Sequence, residues 1–127
     1  MKSFLLVDDD QICNFISTKL LQRLDLAQEI HTAGNGHEAL NLIKDHYIVA
    51  STLPDIILLD LNMPVMDGFS FLEAFQRLGL PRKEEVSIII VTSSTSNSDI
   101  LRAKQMGIIH VLTKPLSEPM LLSALTC

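Results

Sequence analysis

Tryptophan is absent and tyrosine occurs once, so stacking of aromatic side chains on nucleic-acid bases is not expected of this chain. A positive charge balance is missing too: the formal net charge is -5, which argues weakly against binding a phosphate backbone, since that needs a basic face. The two cysteines, Cys13 and Cys127, lie far apart and form no CxxC pair. They read as ordinary thiols of a reducing compartment rather than as metal ligands or a disulfide framework. No apolar run approaches the ~20 residues of a membrane span. Phe4 to Val7 is too short for a signal-peptide core and acids follow it at once, so the expected location is the cytoplasm. Gly34-Asn35-Gly36 lacks the spacing of a phosphate-binding GxxxxGK[ST] loop. His31, His37, His46 and His110 are scattered, and none pairs with a plausible nucleophile.

What is present is an alternation of short apolar runs and helical periodicities. The 127 residues suit one domain with one core, and there is no linker, repeat or low-complexity tract. Ser3 to Val7 reads as a first strand, Glu29 to Thr32 as a weaker second, and Ile56 to Leu59 as a third. Ser87 to Val91 and a stretch within Ile108 to Thr113 supply the fourth and fifth. Between them, Ile12, Phe15, Ile16, Leu20 and Leu24 fall on one helical face, expected to be the core face. Gly34-Asn35-Gly36 opens a helix through Ala39, Leu42 and Ile43, and Tyr47 to Pro54 is a longer connection. Phe69, Leu72, Phe75 and Gln76 begin a third helix, and Arg82 to Glu85 is a solvated charge run. Ser98 or Asn97 would cap a helix over Ile100 to Met106, and Pro119 to Leu125 closes the chain as a short helix. Strands alternating with helices imply an α/β fold with a parallel sheet. Right-handed crossovers put the first strand near the middle, with helices on both faces.

In such sheets, ligands bind just beyond the carboxyl ends of the strands. Asp8 and Asp9 follow strand one, Asp60 follows strand three, Thr92 follows strand four, and Lys114 follows strand five. Taken singly each is ordinary: an Asp-Asp pair is usually a solvated turn, and a Lys-Pro often only breaks a strand. Together, in this order, they place three carboxylates where they cannot all remain ionised without a cation. Oxygen ligands of this hardness suit Mg²⁺, and Mn²⁺ would also fit. An aspartate can itself attack phosphorus and form an aspartyl-phosphate. The charge that grows during that attack needs neutralising from several sides, by a metal ion, the Lys114 ammonium and a Thr92 hydrogen bond.

These residues resemble the receiver domain of two-component response regulators, the CheY-like family, over essentially the whole chain. Leu6-Val7-Asp8-Asp9-Asp10 is similar to the acidic pair after strand one. The run from Pro54 through Asp60 and Asn62-Met63-Pro64-Val65-Met66-Asp67-Gly68 resembles the family's phosphoacceptor signature. Ile89-Ile90-Val91-Thr92-Ser93 and Leu112-Thr113-Lys114-Pro115 resemble its hydroxyl and lysine sites. The resemblance implies a flavodoxin-like (βα)5 fold, a doubly wound five-stranded parallel sheet of order 2-1-3-4-5, with residues 1–127 a single receiver domain and no output domain. It implies that Asp60 accepts a phosphoryl group from a sensor histidine kinase or a histidine phosphotransfer protein. Asp9 and Asp60 would then hold Mg²⁺ with the backbone carbonyl of Asn62, Asp8 would act through metal-bound water, and Thr92 and Lys114 would bind the phosphoryl group. The Lys114-Pro115 peptide is expected to be cis.

The output would be a changed contact with an unidentified downstream protein. The sequence does not decide whether the chain forms a homodimer; the helix of Ile100 to Met106 and the following strand are the expected surface if it does. In many relatives an aromatic stands three residues before the lysine. Here that position is Val111, so any change on phosphorylation is expected in Ser93 to Met106 without an aromatic swing. Asn62 and Ser94 flank the water route to the phosphoryl group in relatives, which implies moderate to fairly fast phosphate loss. The chain is expected to catalyse only its own phosphorylation and dephosphorylation. Two rival readings are a small Mg²⁺-dependent phosphatase with an aspartyl nucleophile and a phosphorylation-independent scaffold. The first wants an acid two residues beyond the nucleophile, where this chain has Asn62; the second is opposed by the full set Asp8, Asp9, Asp60, Thr92 and Lys114.

Overall fold

A computed structural model describes residues 2–47, 52–63, 65–80, 82–93, 96–114 and 116–125, with His46 described by its backbone alone. Strands and helices alternate through them: β1 (Lys2–Val7), α1 (Gln11–Arg23), β2 (Ala27–Ala33), α2 (Gly36–Leu42), β3 (Ile56–Leu59), α3 (Gly68–Arg77), β4 (Ser87–Thr92), α4 (Asn97–Gln105), β5 (His110–Thr113) and α5 (Glu118–Leu125). A π-helical turn, Ile43–Tyr47, prolongs α2, and a short 3-10 turn, Lys83–Glu85, lies within the charge run before β4. The strands form one parallel sheet in the order β2-β1-β3-β4-β5, as expected from the sequence. Among the described residues, no helix is long and apolar enough to cross a membrane.

The core lies on both sides of this sheet because strand side chains alternate between its faces. Leu5, Val7, Ile57, Leu59 and Ile90 face one way, onto Ala39, Leu40, Phe71, Leu72, Phe75 and Ala103 of α2, α3 and α4. Phe4, Leu6, Ile56, Leu58, Ile89 and Val91 face the other, onto Leu20, Leu21, Leu121 and Ala124 of α1 and α5. All of β3 is buried, which explains its unbroken apolar run. Side-chain caps start the helices: Asp10 for α1, Asn35 for α2, Asp67 for α3 and Ser96 for α4. The cap of α4 is thus neither Ser98 nor Asn97. Ser98 lies inside the helix, and its hydroxyl meets that of Ser96 at 2.9 Å. At its other end α4 stops at Gly107, whose φ of 91° lets its amide reach Lys104 O and lets the Ile108 amide reach Ala103 O.

One expectation fails on α1. Ile12, Phe15 and Ile16 are not core residues; they are 69%, 61% and 48% exposed. The inward stripe is Cys13, Ser17, Leu20, Leu21 and Leu24, with Leu20 and Leu21 buried and the other three half-buried. That stripe has helical spacing, but its first two members are small and polar, so bulk apolarity pointed to the wrong arc. The outer arc is screened only in part, with Lys19 Nζ 5.4 Å from the centre of the Phe15 ring.

Candidate functional site

The parallel ladder itself brings the acids together. Val7 pairs with Leu59, and the ladder continues one residue further as the Asp60 amide donates to Val7 O at 2.9 Å and the Asp8 amide to Ala33 O at 3.1 Å. Asp8 and Asp60 therefore leave adjacent strands at the same level. On the far side Thr92 pairs with Thr113, and the Lys114 amide donates to Thr92 O at 2.9 Å. Asp8, Asp60 and Thr92 are buried, at 8%, 5% and 1% exposure, while Asp9 is exposed.

The Lys114 ammonium spans the two buried acids. Its Nζ lies 2.6 Å from Asp8 Oδ2 and 3.3 Å from Asp60 Oδ2. The Asp10 amide donates to Asp8 Oδ1 at 2.9 Å, and the Asn62 amide reaches Asp60 Oδ1 at 3.4 Å. Burial pushes the Asp60 carboxyl above the usual carboxylate range; Lys114 pulls against this shift and Asp8 reinforces it. Burial alone would lower Lys114, but its hydrogen bond to Asp8 and the charges of Asp60 and Asp8 outweigh it, so its pKa is raised. A lysine raised in this way keeps its full stabilising contribution below its unfolded value and loses it only as pH rises through the higher folded value. The ammonium is therefore a fixed counter-charge at neutral pH.

The donor set fits a hard divalent cation. One oxygen each from Asp8, Asp9 and Asp60 lies within 4.8 Å of the others, and all three ligands are carboxylates. Asn62, two residues beyond Asp60, is exposed. A cation held there would compete with Lys114 for the same oxygens. Lys114→Ala is accordingly expected to tighten Mg²⁺ binding, read by isothermal titration. In EDTA it should cost about 2 kcal/mol in urea unfolding, because two mostly buried carboxylates lose their partner. The sign of the pH dependence follows. A carboxyl raised in the folded state stabilises the fold as pH falls through its folded value, so the variant should regain stability toward acid.

Several site residues were not singled out from the sequence. Asn14 Nδ2 donates to Asp8 O at 3.0 Å and ties α1 to the acidic loop. Asp10 caps α1; the Cys13 thiol, then the Ile12 and Cys13 amides, hold its carboxyl below the usual range. Cys13 itself is raised by burial and lines a cavity of about 50 Å³ together with Asp8, Asn14, Asp60 and Lys114. The signal for Asn14 and Cys13 was their place on the first turn of the helix that follows the acids. Gly68 is a third. Its amide donates to Leu61 O at 2.9 Å, and its Cα faces the Asp60 carbonyl so closely that a Cβ would lie 2.5 Å from that oxygen. Between Asp60 and Gly68, the exposed Val65 adopts φ 68°, a left-handed conformation that is strained for a β-branched residue. Val111 is half-buried and packs against the core on the α4 side of the sheet. Of the histidines, His31 meets Tyr47 edge-on at 5.5 Å and contacts the Glu29 carboxylate, away from the acids on the edge strand β2. Ser94 and the Lys114-Pro115 peptide lie outside the described residues.

A doubly wound sheet of this strand order, with acids and a lysine gathered on its carboxyl edge, defines a class of small α/β signalling domains. Residues 4–126 match the family model of the response regulator receiver domain, and the chain belongs to that family. It is a receiver domain of two-component signalling. It is similar to the probable methanogenesis regulatory protein FilR2 of Methanothrix harundinacea, 31% identical over 113 residues that make up 89% of this chain and 72% of that protein. It is 40% identical over 111 residues to the transcription factor SKN7 of Chaetomium thermophilum, covering 87% of this chain but only 13% of that protein. Among solved structures, a two component response regulator from Cytophaga hutchinsonii superposes with a TM-score of 0.88 at 27% identity, covering 99% of this chain and 96% of that one. The chain thus spans a small part of some relatives, whose outputs are properties of those larger proteins.

Proposed function

We propose that Asp60 is the acceptor of a phosphoryl group delivered by a phosphohistidine on a histidine kinase or phosphotransfer partner, and that the modified domain signals through altered protein contacts. The observation that carries this reading is Lys114 Nζ held between the Asp8 and Asp60 carboxylates at the end of a fully buried strand. Asp60 is the natural nucleophile, since it is the most buried of the three acids and stands at the centre of the carboxyl edge. One of its carboxylate oxygens attacks phosphorus; an O–P bond forms and the donor's P–N bond breaks, releasing the donor imidazole. Lys114 would turn from the carboxylates to the incoming phosphoryl oxygens and stabilise their charge. The buried Thr92, anchored through its carbonyl to the Lys114 amide, would donate its hydroxyl to a phosphoryl oxygen. Asp8, Asp9, Asp60 and the Asn62 carbonyl would hold Mg²⁺, or Mn²⁺, which when bound neutralises phosphoryl charge. The chain acts on itself and is not a turnover phosphatase, because Asn62 has no proton to shuttle.

Incubation with Mg²⁺ and acetyl phosphate should add one phosphoryl group by intact mass, and EDTA should suppress it. Labelling that proceeds equally in EDTA would show that the metal has no part in the transfer.

A further inference from the structure

α4 is held from the side, by α3. Ala103 is its buried residue, so little of the helix is anchored in the core. Contacts to α3 hold it instead. Arg102 Cζ sits 4.2 Å from the centre of the Phe69 ring, and its Nη2 lies 3.7 Å from Glu73 Oε1. Gln76 Nε2 donates to Met106 O, at the carboxyl end of α4, at 3.1 Å. Phe69, Glu73 and Gln76 stand at i, i+4 and i+7, one stripe along α3. Phe69 is itself buried, so the guanidinium rests on a ring that cannot move aside.

The other end of this strap is fixed to the acceptor. The first turn of α3 is pressed on the Asp60 and Leu61 backbone through Gly68, which ties the start of α3 to Asp60. By contrast, β4 ends at Thr92 and leads into α4. We infer that the α3–α4 strap, Arg102 on Phe69 and Glu73 with Gln76 on Met106, restrains α4 in the unmodified arrangement and opposes phosphorylation of Asp60. This rests on the reading of Asp60 as acceptor. If a phosphoryl group draws Thr92 and Lys114 toward it, the start of α4 is drawn with them while α3 stays, and the strap is stretched. Contacts made in only one of two arrangements bias the equilibrium by their own strength. Arg102 and Gln76 are therefore positioning residues, since neither touches the acids.

The test uses Arg102→Ala, Gln76→Ala and the conservative Arg102→Lys, all at exposed positions. Amide hydrogen exchange is followed in the unmodified protein, and labelling by acetyl phosphate with Mg²⁺ is timed by intact mass. Exchange over Asn97–Gln105 should rise about threefold to tenfold in each alanine variant, with α1 unchanged, as fits one cation–π or hydrogen-bond contact. Labelling should accelerate by about threefold, and Arg102→Lys should restore most of both effects because an ammonium also sits on an aromatic face. Unchanged exchange over α4 would overturn the strap. Faster exchange with unchanged or slower labelling would overturn its opposition to phosphorylation. A wild-type chain that takes no label would count instead against the acceptor reading, and the exchange arm would still decide whether the strap holds α4.

Discussion

Asp60→Asn is expected to abolish phosphoryl labelling while making the metal-free protein more stable at neutral pH. The amide keeps the shape of the side chain but is no nucleophile toward phosphorus, so no label should form at that position. Its stability effect follows from charge. Asp60 is 5% exposed, its carboxyl is raised first by burial and further by Asp8, and Lys114 only partly offsets this. A carboxylate raised in the folded state costs stability above its folded pKa, and that cost disappears as pH falls through the folded value. Removing the charge should therefore stabilise by about 1 kcal/mol at pH 7. The gain should shrink toward acid, where the wild-type side chain is neutral as well. Lys114 would not be orphaned, since Asp8 stays 2.6 Å away. Urea unfolding in EDTA at several pH values checks the sign. A destabilised Asn variant would mean that the Lys114–Asp60 contact outweighs the burial of the charge.

Gly68→Ala should be the more damaging change, although it only adds a methyl group. The new carbon would lie 2.5 Å from Asp60 O, 2.8 Å from Leu61 Cα and 3.2 Å from Asp60 C, all backbone atoms without a rotamer to change. Either α3 lifts away, losing the Gly68 amide bond to Leu61 O and disturbing the burial of Phe69 and Phe71, or the Asp60 loop is displaced. Overpacking of this kind costs about 3 kcal/mol when nothing can give way. The urea midpoint should fall accordingly, and the fraction that remains folded should label slowly because Asp60 has moved. Wild-type stability together with wild-type labelling would show that the contact is not as rigid as the geometry implies.

The gathering of acids, Thr92 and Lys114 on one edge was legible at the strand ends. Ile56 to Leu59 reads as a strand buried on both faces, and an acid at its end requires a cation. Asp8, Thr92 and Lys114 follow from applying the same rule to the neighbouring strands. The ladder then sets them at one level, as the order 2-1-3-4-5 requires. What was not legible depends on which atoms meet across the chain. The inward face of α1 was misassigned because Cys13 and Ser17 occupy it and larger apolar residues occupy the outer arc. The need for Gly68 comes from backbone passing backbone, a contact that leaves only a glycine within a turn-like run. The α3–α4 strap involves a stripe of three residues that the sequence marks merely as the edge of an amphipathic helix. Val111 shows the same division: its identity was visible, whereas its packing against the core required the fold.

Asp60, rather than Asp8 or Asp9, is the residue expected to carry the phosphoryl group. Reductive trapping tests it most directly. The protein is labelled with acetyl phosphate and Mg²⁺, treated with borohydride so that an aspartyl-phosphate becomes homoserine, and digested for peptide mass mapping. Homoserine is expected at position 60, absent when donor or Mg²⁺ is omitted. Homoserine at position 8 or 9 instead, with Asp60 unmodified, would contradict that expectation.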